Sequence, residues 1–204
     1  MINNITLNSS DLQRAIKQEL RNIISRKIPK IEHELNARLT KLLEKHFLQG
    51  LPVIQGQDFF ELGIPDIQDR LVSIALSAAS DFKIKIFQRN LLNINLGILD
   101  TSYKELIELP DALFAARGKS GVNILPWLAW LVKSGSTPVI SNYDFMLKDN
   151  AGRTQGGIMI KTNNWSVPPS LQGTPEDNIL TKCLDNINQD LVFMIESVLK
   201  KTLS

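Results

Sequence analysis

The 204-residue sequence has one cysteine and only two histidines. A single thiol, Cys183, excludes an internal disulfide framework and any cysteine-based zinc cluster. Because Cys183 lies beside apolar residues in a helical pattern, we expect it to behave as a small buried hydrophobe. The scarcity of ligand residues therefore predicts no structural metal, and the cysteine usage indicates a reducing cytosol.

Long apolar runs are also missing. No stretch approaches the ~18 apolar residues that a membrane-spanning helix requires. The first ten residues, MINNITLNSS, have neither the basic nor the apolar region of a secretory signal. We therefore expect no contact with a membrane.

The chain has little excess of either sign of charge, with 23 Lys and Arg against 21 Asp and Glu. A net charge of +2 does not indicate a general nucleic-acid binder. Residues 1–50, however, hold nine basic and five acidic residues. This surplus fits either a basic arm or the solvated face of a helix, and the second arrangement is the more common.

Catalytic and cofactor motifs are incomplete. Gly118–Ser120 matches the end of a phosphate-binding loop, but Leu113 occupies the position of the required first glycine. His33 and Glu34 begin a metalloprotease pattern, but Ala37 stands where its second histidine is needed. No Gly-x-Ser-x-Gly turn is present. We therefore predict no enzyme, no catalytic residues, no cofactor and no metal.

The N-terminal and C-terminal parts of the chain carry helical patterns. Apolar residues recur with a helical period to about residue 25 and again to residue 47, with an interruption or kink at Pro29 and an end near Gly50. A further helix is predicted from Pro65 to Ala78, after a loop over residues 50–65. The last helix is predicted to start at Thr174 as its cap and to run without a break past residue 198.

Between these helices the period changes to strict alternation, which is typical of half-buried strands. Residues 81–88 and 93–99 predict one hairpin, with Lys83 and Lys85 on its exposed face. Residues 139–147 and 157–161 predict a second. The expected fold is α+β, with one antiparallel sheet of two hairpins flanked by long amphipathic helices. Residues 1–50 form a helical element and residues 51–204 the α+β domain, as one compact unit.

Aromatic residues and turn residues concentrate between residues 125 and 181. Trp127 and Trp130 are three positions apart on a predicted apolar helix, and Trp165 follows near two prolines. Each tryptophan is either a core residue of the subunit or an anchor of an interface. Arg153, in a Gly-Arg-Thr-Gln-Gly-Gly loop, either grips a phosphate or a partner carboxylate, or is simply solvated.

Several short motifs in this region follow one another in a fixed order. A Leu-Pro-Trp-Leu-x-Trp-Leu helix precedes an Ile-Ser-x-Tyr-Asp strand. A Gly-Arg-Thr…Gly-x-x-Met-x-Lys strand and a Trp-x-Val-Pro-Pro…Gly-Thr…Asp-Asn segment come next, and Glu61–Asp66 lies upstream of them all. Over residues 58–200 the chain resembles the head–tail joining (neck and tail-completion) proteins of tailed bacteriophages.

The resemblance implies a structural virion protein with no catalytic residues. Such proteins form homo-oligomeric rings between the DNA-filled head and the tail, assembled in the host cytoplasm. Their partners are the portal or adjacent neck and tail proteins, and the genome passes through the channel without sequence-specific contact. Ring assembly is also expected from the number of amphipathic elements, since one sheet cannot cover all their apolar faces.

Three alternatives remain beside the neck ring. The first is a tail terminator or completion ring. The second is a DNA-binding module of no sequence specificity that uses the basic N-terminal helices. The third is a regulatory interaction protein of the host cytosol.

The segment Lys148–Gln155 is expected to be exposed and to be mobile in the isolated subunit. It contains no large apolar side chain, so little burial offsets the ordering entropy of ~1–2 kcal/mol per residue. We expect trypsin to cut the free protein first after Arg153 and to cut it slowly there within an assembly. Full resistance of the free subunit at Arg153 would contradict this prediction.

Overall fold

The computed structural model describes residues 9–90, 93–99, 103–118 and 121–203. Its helices are α1 (Ser9–Gly50), α2 (Gly56–Leu62), α3 (Ile67–Asp81), α4 (Tyr103–Ile107), α5 (Trp127–Lys133), α6 (Ile179–Lys182) and α7 (Ile187–Leu203). Its strands are β1 (Lys83–Asn90), β2 (Asn93–Leu99), β3 (Phe114–Gly118), β4 (Gly121–Leu125), β5 (Asp144–Leu147) and β6 (Gly157–Ile160). The α+β class predicted from the sequence is confirmed.

The first helix supplies the central apolar stripe of the fold. Five residues at intervals of four are each 3% exposed or less: Ile31, Leu35, Leu39, Leu43 and Phe47. Residues four apart lie on one helix face, so these side chains form a continuous ridge. Helices α3 and α7 and strand β1 all pack against α1. Each fully buried side chain of this size contributes about 1.5–3 kcal/mol.

Helix α1 runs through Pro29 without ending there. Proline removes one backbone hydrogen bond, but a helix can continue through it when the helical segments before and after the proline are both long. The predicted interruption is therefore wrong, whereas the predicted end at Gly50 is confirmed: Leu51 N–H donates to the carbonyl of Phe47 at 2.9 Å.

The hairpin of β1 and β2 follows the predicted alternation. Its register pairs Lys83 with Leu99 and Ile84 with Ile98, and Lys83 and Lys85 are exposed while Ile84 is buried. The side chains of β2 lie outside the described residues. The outer edge of β1 is closed by helix side chains instead of another strand.

Two polar residues of α1 make this edge contact. The Asn36 amide donates to the Ile84 carbonyl at 3.1 Å, and its oxygen accepts from Ile84 N–H at 2.7 Å. Glu32 accepts from Ile86 N–H at 2.7 Å. Asn36 and Glu32 thus take the place of a neighbouring strand.

The predicted single sheet does not form. The strands make three separate two-stranded antiparallel sheets: β1–β2, β3–β4 and β5–β6. The β3–β4 hairpin lies in a part of the chain for which the sequence predicts no strand, and Leu125, predicted at the start of a helix, belongs to β4. Strand β5 begins at Asp144, later than predicted, because Ile140 instead forms an isolated bridge with Trp165.

Two helix predictions also need correction. Residues 56–62 form α2 rather than a loop, and Gly63 ends this helix in the left-handed conformation at φ 63°. Such a short helix shows too little periodicity to be recognised.

The C-terminal helix begins later than predicted and is divided. Asn178, not Thr174, caps α6, and its side chain accepts from the N–H groups of Leu180 and Thr181. The chain then leaves helical geometry over residues 183–186 before α7 begins. Thr174 instead accepts from Asp177 N–H at 3.2 Å and closes a turn.

Helices α1 and α7 lie antiparallel. Near one end of the pair, Lys27 donates to the Thr202 carbonyl at 2.7 Å; near the other, His46 Nε2 lies 3.1 Å from the Asp190 carboxylate. The His46 side chain is only 15% exposed, so it lies largely buried between α1 and α7. Hydrogen bonding to His46 and the charge of Lys45 lower the pKa of Asp190.

The edge contact at β1 generates the first stability prediction. Asn36→Ala leaves the Ile84 N–H and carbonyl without their partners, which costs about 1–3 kcal/mol in unfolding free energy. Denaturant unfolding measures the loss, and Asn22→Ala in the exposed part of the same helix is the matched control, with an expected change within about 0.5 kcal/mol. Equal effects of the two substitutions would contradict the strand-like role of Asn36.

Candidate interaction surfaces

The three tryptophans lie inside the subunit. All three are buried, and the rings of Trp130 and Trp165 meet edge to face with centroids 5.7 Å apart. The indole N–H of Trp127 donates to the Asp111 carbonyl at 2.8 Å, and that of Trp165 donates to the Glu61 carboxylate at 3.0 Å. Of the two roles left open by the sequence, the structure supports that of core residues.

Trp165 also organises its surroundings through the backbone. Its carbonyl accepts from the N–H groups of Val139 and Ile140, and its N–H donates to the Ile140 carbonyl at 2.8 Å. The segment before β5 is thereby held against the segment that precedes α6. The burial of Trp165 thus has a structural role within the subunit.

Arg153 lies on the surface against an aromatic ring. Its guanidinium carbon is 5.2 Å from the ring centroid of Phe114, and that of Arg70 is 5.7 Å from the same centroid. Partial burial lowers the pKa of Arg153, although arginine stays protonated at neutral pH. Among the described residues, no carboxylate forms an ion pair with either arginine.

Helix α2 anchors the Arg153 loop. A Cβ atom on Gly63 would lie 3.0 Å from the Arg153 guanidinium, and one on Gly156 would overlap the ring of Phe60. Thr154 donates to the Phe60 carbonyl at 3.4 Å. Most residues of the loop are exposed, as predicted. The mobility of the loop stays a prediction. In the free subunit, the contacts with Phe60 and Gly63 are those that would restrain the loop.

Glu61, which accepts the hydrogen bond from the Trp165 indole, has a raised pKa. Desolvation by burial raises it first, and the charges of Asp58 and Asp144 add to the effect, while hydrogen bonds from Trp165 and Gln57 oppose it. The raised pKa means that the ionised carboxylate is held less favourably in the folded protein than in the unfolded chain.

Exposed apolar side chains occur on four elements. They are Ile16, Leu20, Ile23 and Leu48 on α1, Val122 and Ile124 on β4, Met146 and Leu147 on β5, and Val192 and Phe193 on α7, with Val53 and Tyr143 exposed outside these elements. The sequence predicted the stripe on α1 as a helix face, but periodicity does not tell whether another element covers a face. These surfaces, and not the tryptophans, are available to partners.

The remaining chemistry-bearing residues form no further site in the described part of the chain. Cys183 is buried as predicted, and desolvation raises the pKa of its thiol to about 11. No group of three or more His, Cys, Asp or Glu with the geometry of a metal site occurs among residues 9–90, 93–99, 103–118 and 121–203. In the same ranges, no helix is both long and apolar enough to cross a membrane.

Comparison of the chain with protein-family models, with curated proteins and with solved structures found no match in any of the three. The class of the protein is therefore inferred from its own residues.

The environment of Glu61 predicts a pH-dependent gain in stability. A raised folded-state pKa contributes stability below the unfolded pKa, and this contribution is lost as pH rises through the folded pKa. Glu61→Gln keeps an oxygen for the Trp165 N–H and removes the charge. We expect the variant to melt above the wild type at pH 7, with the difference shrinking as the pH falls through the raised pKa of Glu61 and absent below its ordinary value of 4.5.

The matched control is Glu176→Gln, at an exposed glutamate away from this cluster. Thermal melts of the three proteins across this pH range provide the measurement. A wild type that melts above Glu61→Gln at pH 7 would show that the carboxylate is stabilised rather than strained by its surroundings.

Proposed function

We propose that this chain is a structural ring subunit of a bacteriophage neck, joining the DNA-filled head to the tail around the genome channel. The observation that carries the proposal is the ordered set of motifs between residues 58 and 200 that resembles neck and tail-completion proteins. The proposal assigns no reaction and no cofactor to the chain.

The positions of these motifs in the fold support the proposal. Although they are widely spaced in sequence, they meet in one cluster: Glu61 binds Trp165, Trp130 packs on Trp165, and Arg153 lies beside Gly63. The cluster is thus a scaffold that holds the Arg153 loop and the β5–β6 hairpin in place.

The distribution of exposed apolar residues is a second support. Four separate elements carry them, on helices and hairpins alike. A subunit placed between two neighbours in a ring and two further rings above and below needs several contact surfaces. Exposed apolar side chains in groups commonly mark such surfaces.

The proposed partners are other copies of this chain, the portal and adjacent neck or tail proteins. Genome DNA passes through the ring without sequence-specific contact. In this proposal the chain is located at the head–tail junction of the virion and is assembled in the host cytoplasm. A tail terminator or completion ring is the closest alternative, since it differs only in the layer that the ring occupies.

A DNA-binding module is the alternative from another class, and one observation favours it. Residues 9–30 hold six Lys and Arg against two Asp and Glu, and the described side chains from residue 13 to residue 20 are all exposed. Such a segment can contact phosphates, with an affinity that falls steeply as salt rises. A regulatory protein of the host cytosol gains no support from any described feature.

The test of the neck assignment is the position of the chain in virions. We expect a reconstruction of the head–tail junction to contain this chain as a ring on the particle axis. We also expect deletion of its gene to leave DNA-filled heads and free tails that do not join. Density away from the axis, or virions that lack the chain, would contradict the assignment.

A further inference from the structure

The first helix extends beyond the rest of the subunit. Towards the N-terminal side of the α1–α7 pair, Lys27 donates to the Thr202 carbonyl at 2.7 Å, and the described side chains from residue 13 to residue 20 are all exposed. Residues 9–26, which we term the arm, continue the helix for about 27 Å at 1.5 Å per residue. Most of the stability of a helix in a protein comes from packing of its apolar face against another element. The arm therefore depends on either the helix it continues or a partner.

The arm carries an uncovered apolar stripe. Ile16, Leu20 and Ile23 are 51%, 48% and 41% exposed. Their spacing of four and three residues puts them on one face. Three large aliphatic side chains in line on an exposed helix predict a partner that offers apolar surface.

A complementary surface lies on α7. Phe193 is 75% exposed, and Val192 beside it is also exposed. Together with Asn188, Gln189 and Glu196, these residues line a shallow and mainly apolar hollow, which we term the α7 patch. An aromatic and an aliphatic side chain at the centre of polar residues is the usual composition of a contact surface.

The arm and the α7 patch of one subunit cannot meet. Phe193 lies beside Leu42 of α1, whereas Leu20 is 22 residues further towards the N-terminus in the same continuous helix. At 1.5 Å per residue they are about 30 Å apart. Any contact between the two surfaces therefore joins two copies of the chain. Such a head-to-tail contact leaves one arm and one patch free until a ring closes.

The charges of the two surfaces are complementary. The arm, residues 9–26, holds four basic and two acidic residues, whereas residues 185–196 hold three acidic and no basic residues. One of these acids, Asp190, also pairs with His46 and Lys45 of its own subunit, and another, Glu196, with Lys200. The pairs with Lys45 and Lys200 are solvent-exposed and therefore weak, whereas the contact of Asp190 with the largely buried His46 is retained. DNA would satisfy the charge of the arm but not its apolar stripe.

We infer that the arm of one subunit packs on the α7 patch of the next and that this contact closes the ring. This inference rests on the proposed function, because it assumes that the chain forms a ring around the genome channel. It names the two surfaces of the contact and makes a second copy of the chain the occupant of the patch.

Disulfide trapping of the full-length protein tests the contact, because it captures weak association. Leu20→Cys and Val192→Cys in one chain are expected to give a ladder of linked subunits under mild oxidation at high protein concentration. The two single variants mixed should give linked dimers, and each alone should give none. The native Cys183 is buried with a raised pKa, so it should not compete.

Several outcomes would overturn the inference. Cross-linking by Leu20→Cys alone would mean that arms pair with arms, and cross-linking by Val192→Cys alone would mean that α7 patches pair with each other. No ladder from the double variant, in solution or in assembled particles, would exclude the contact. A chain that stays monomeric and binds duplex DNA through the arm in a salt-dependent way would favour the DNA-binding alternative.

A second pair of variants measures the contribution of the stripe. Leu20→Asp should weaken self-association roughly 10- to 100-fold, as expected from loss of one buried leucine. Gln18→Asp, two positions away on the exposed arm, is the matched control and should change it little. Both variants should keep the wild-type melting temperature, because neither residue lies in the core. Equal association of both variants would contradict the inference.

The test separates the contact from the neck assignment. If virions carry the chain at the neck but the cysteine pair does not cross-link there, the arm–patch contact is wrong and the neck assignment stands. If the purified protein forms the ladder but virions lack the chain, the contact stands and the neck assignment is wrong.

Discussion

Burial of one face of α1 between Ile31 and Phe47 is the interaction on which the rest of the fold depends. Helices α3 and α7 and strand β1 all pack on this ridge and owe their relative positions to it. No other element among the described residues is of comparable length. Because α1 is longer than the elements packed on it, the same constraint that builds the core also leaves the arm uncovered.

The polar contacts of α1 explain the unusual sheet arrangement. An open strand edge must find hydrogen-bond partners or stay in water. In β1 those partners are Asn36 and Glu32, so the edge has no free groups at Ile84 with which to recruit the β5–β6 hairpin. Three small hairpins around a helical core replace one larger sheet. Each hairpin then projects a surface of its own, and two of them carry exposed apolar residues.

The buried cluster of Trp130, Trp165 and Glu61 stabilises the fold, whereas the exposed apolar surfaces are the proposed contact sites. Trp130, Trp165 and Glu61 fix the segments around β5, and through α2 they support the Arg153 loop. The proposal places partners on the arm, the hairpin faces and α7 instead. This separation is what a ring subunit requires, since a rigid interior transmits position from one neighbour to the next while its surface elements bind.

The sequence by itself determined the α+β class, the long N-terminal helix, the β1–β2 hairpin and the burial of Cys183, because helical and alternating patterns are local. It did not determine α2, the β3–β4 hairpin or the break over residues 183–186, since short elements leave little periodicity. The burial of all three tryptophans and the exposure of Leu20 and Phe193 were decided only by tertiary structure. An amphipathic face looks the same in sequence whether another element covers it or not, and only the lengths and crossing of α1 and α7 settle which face remains in water.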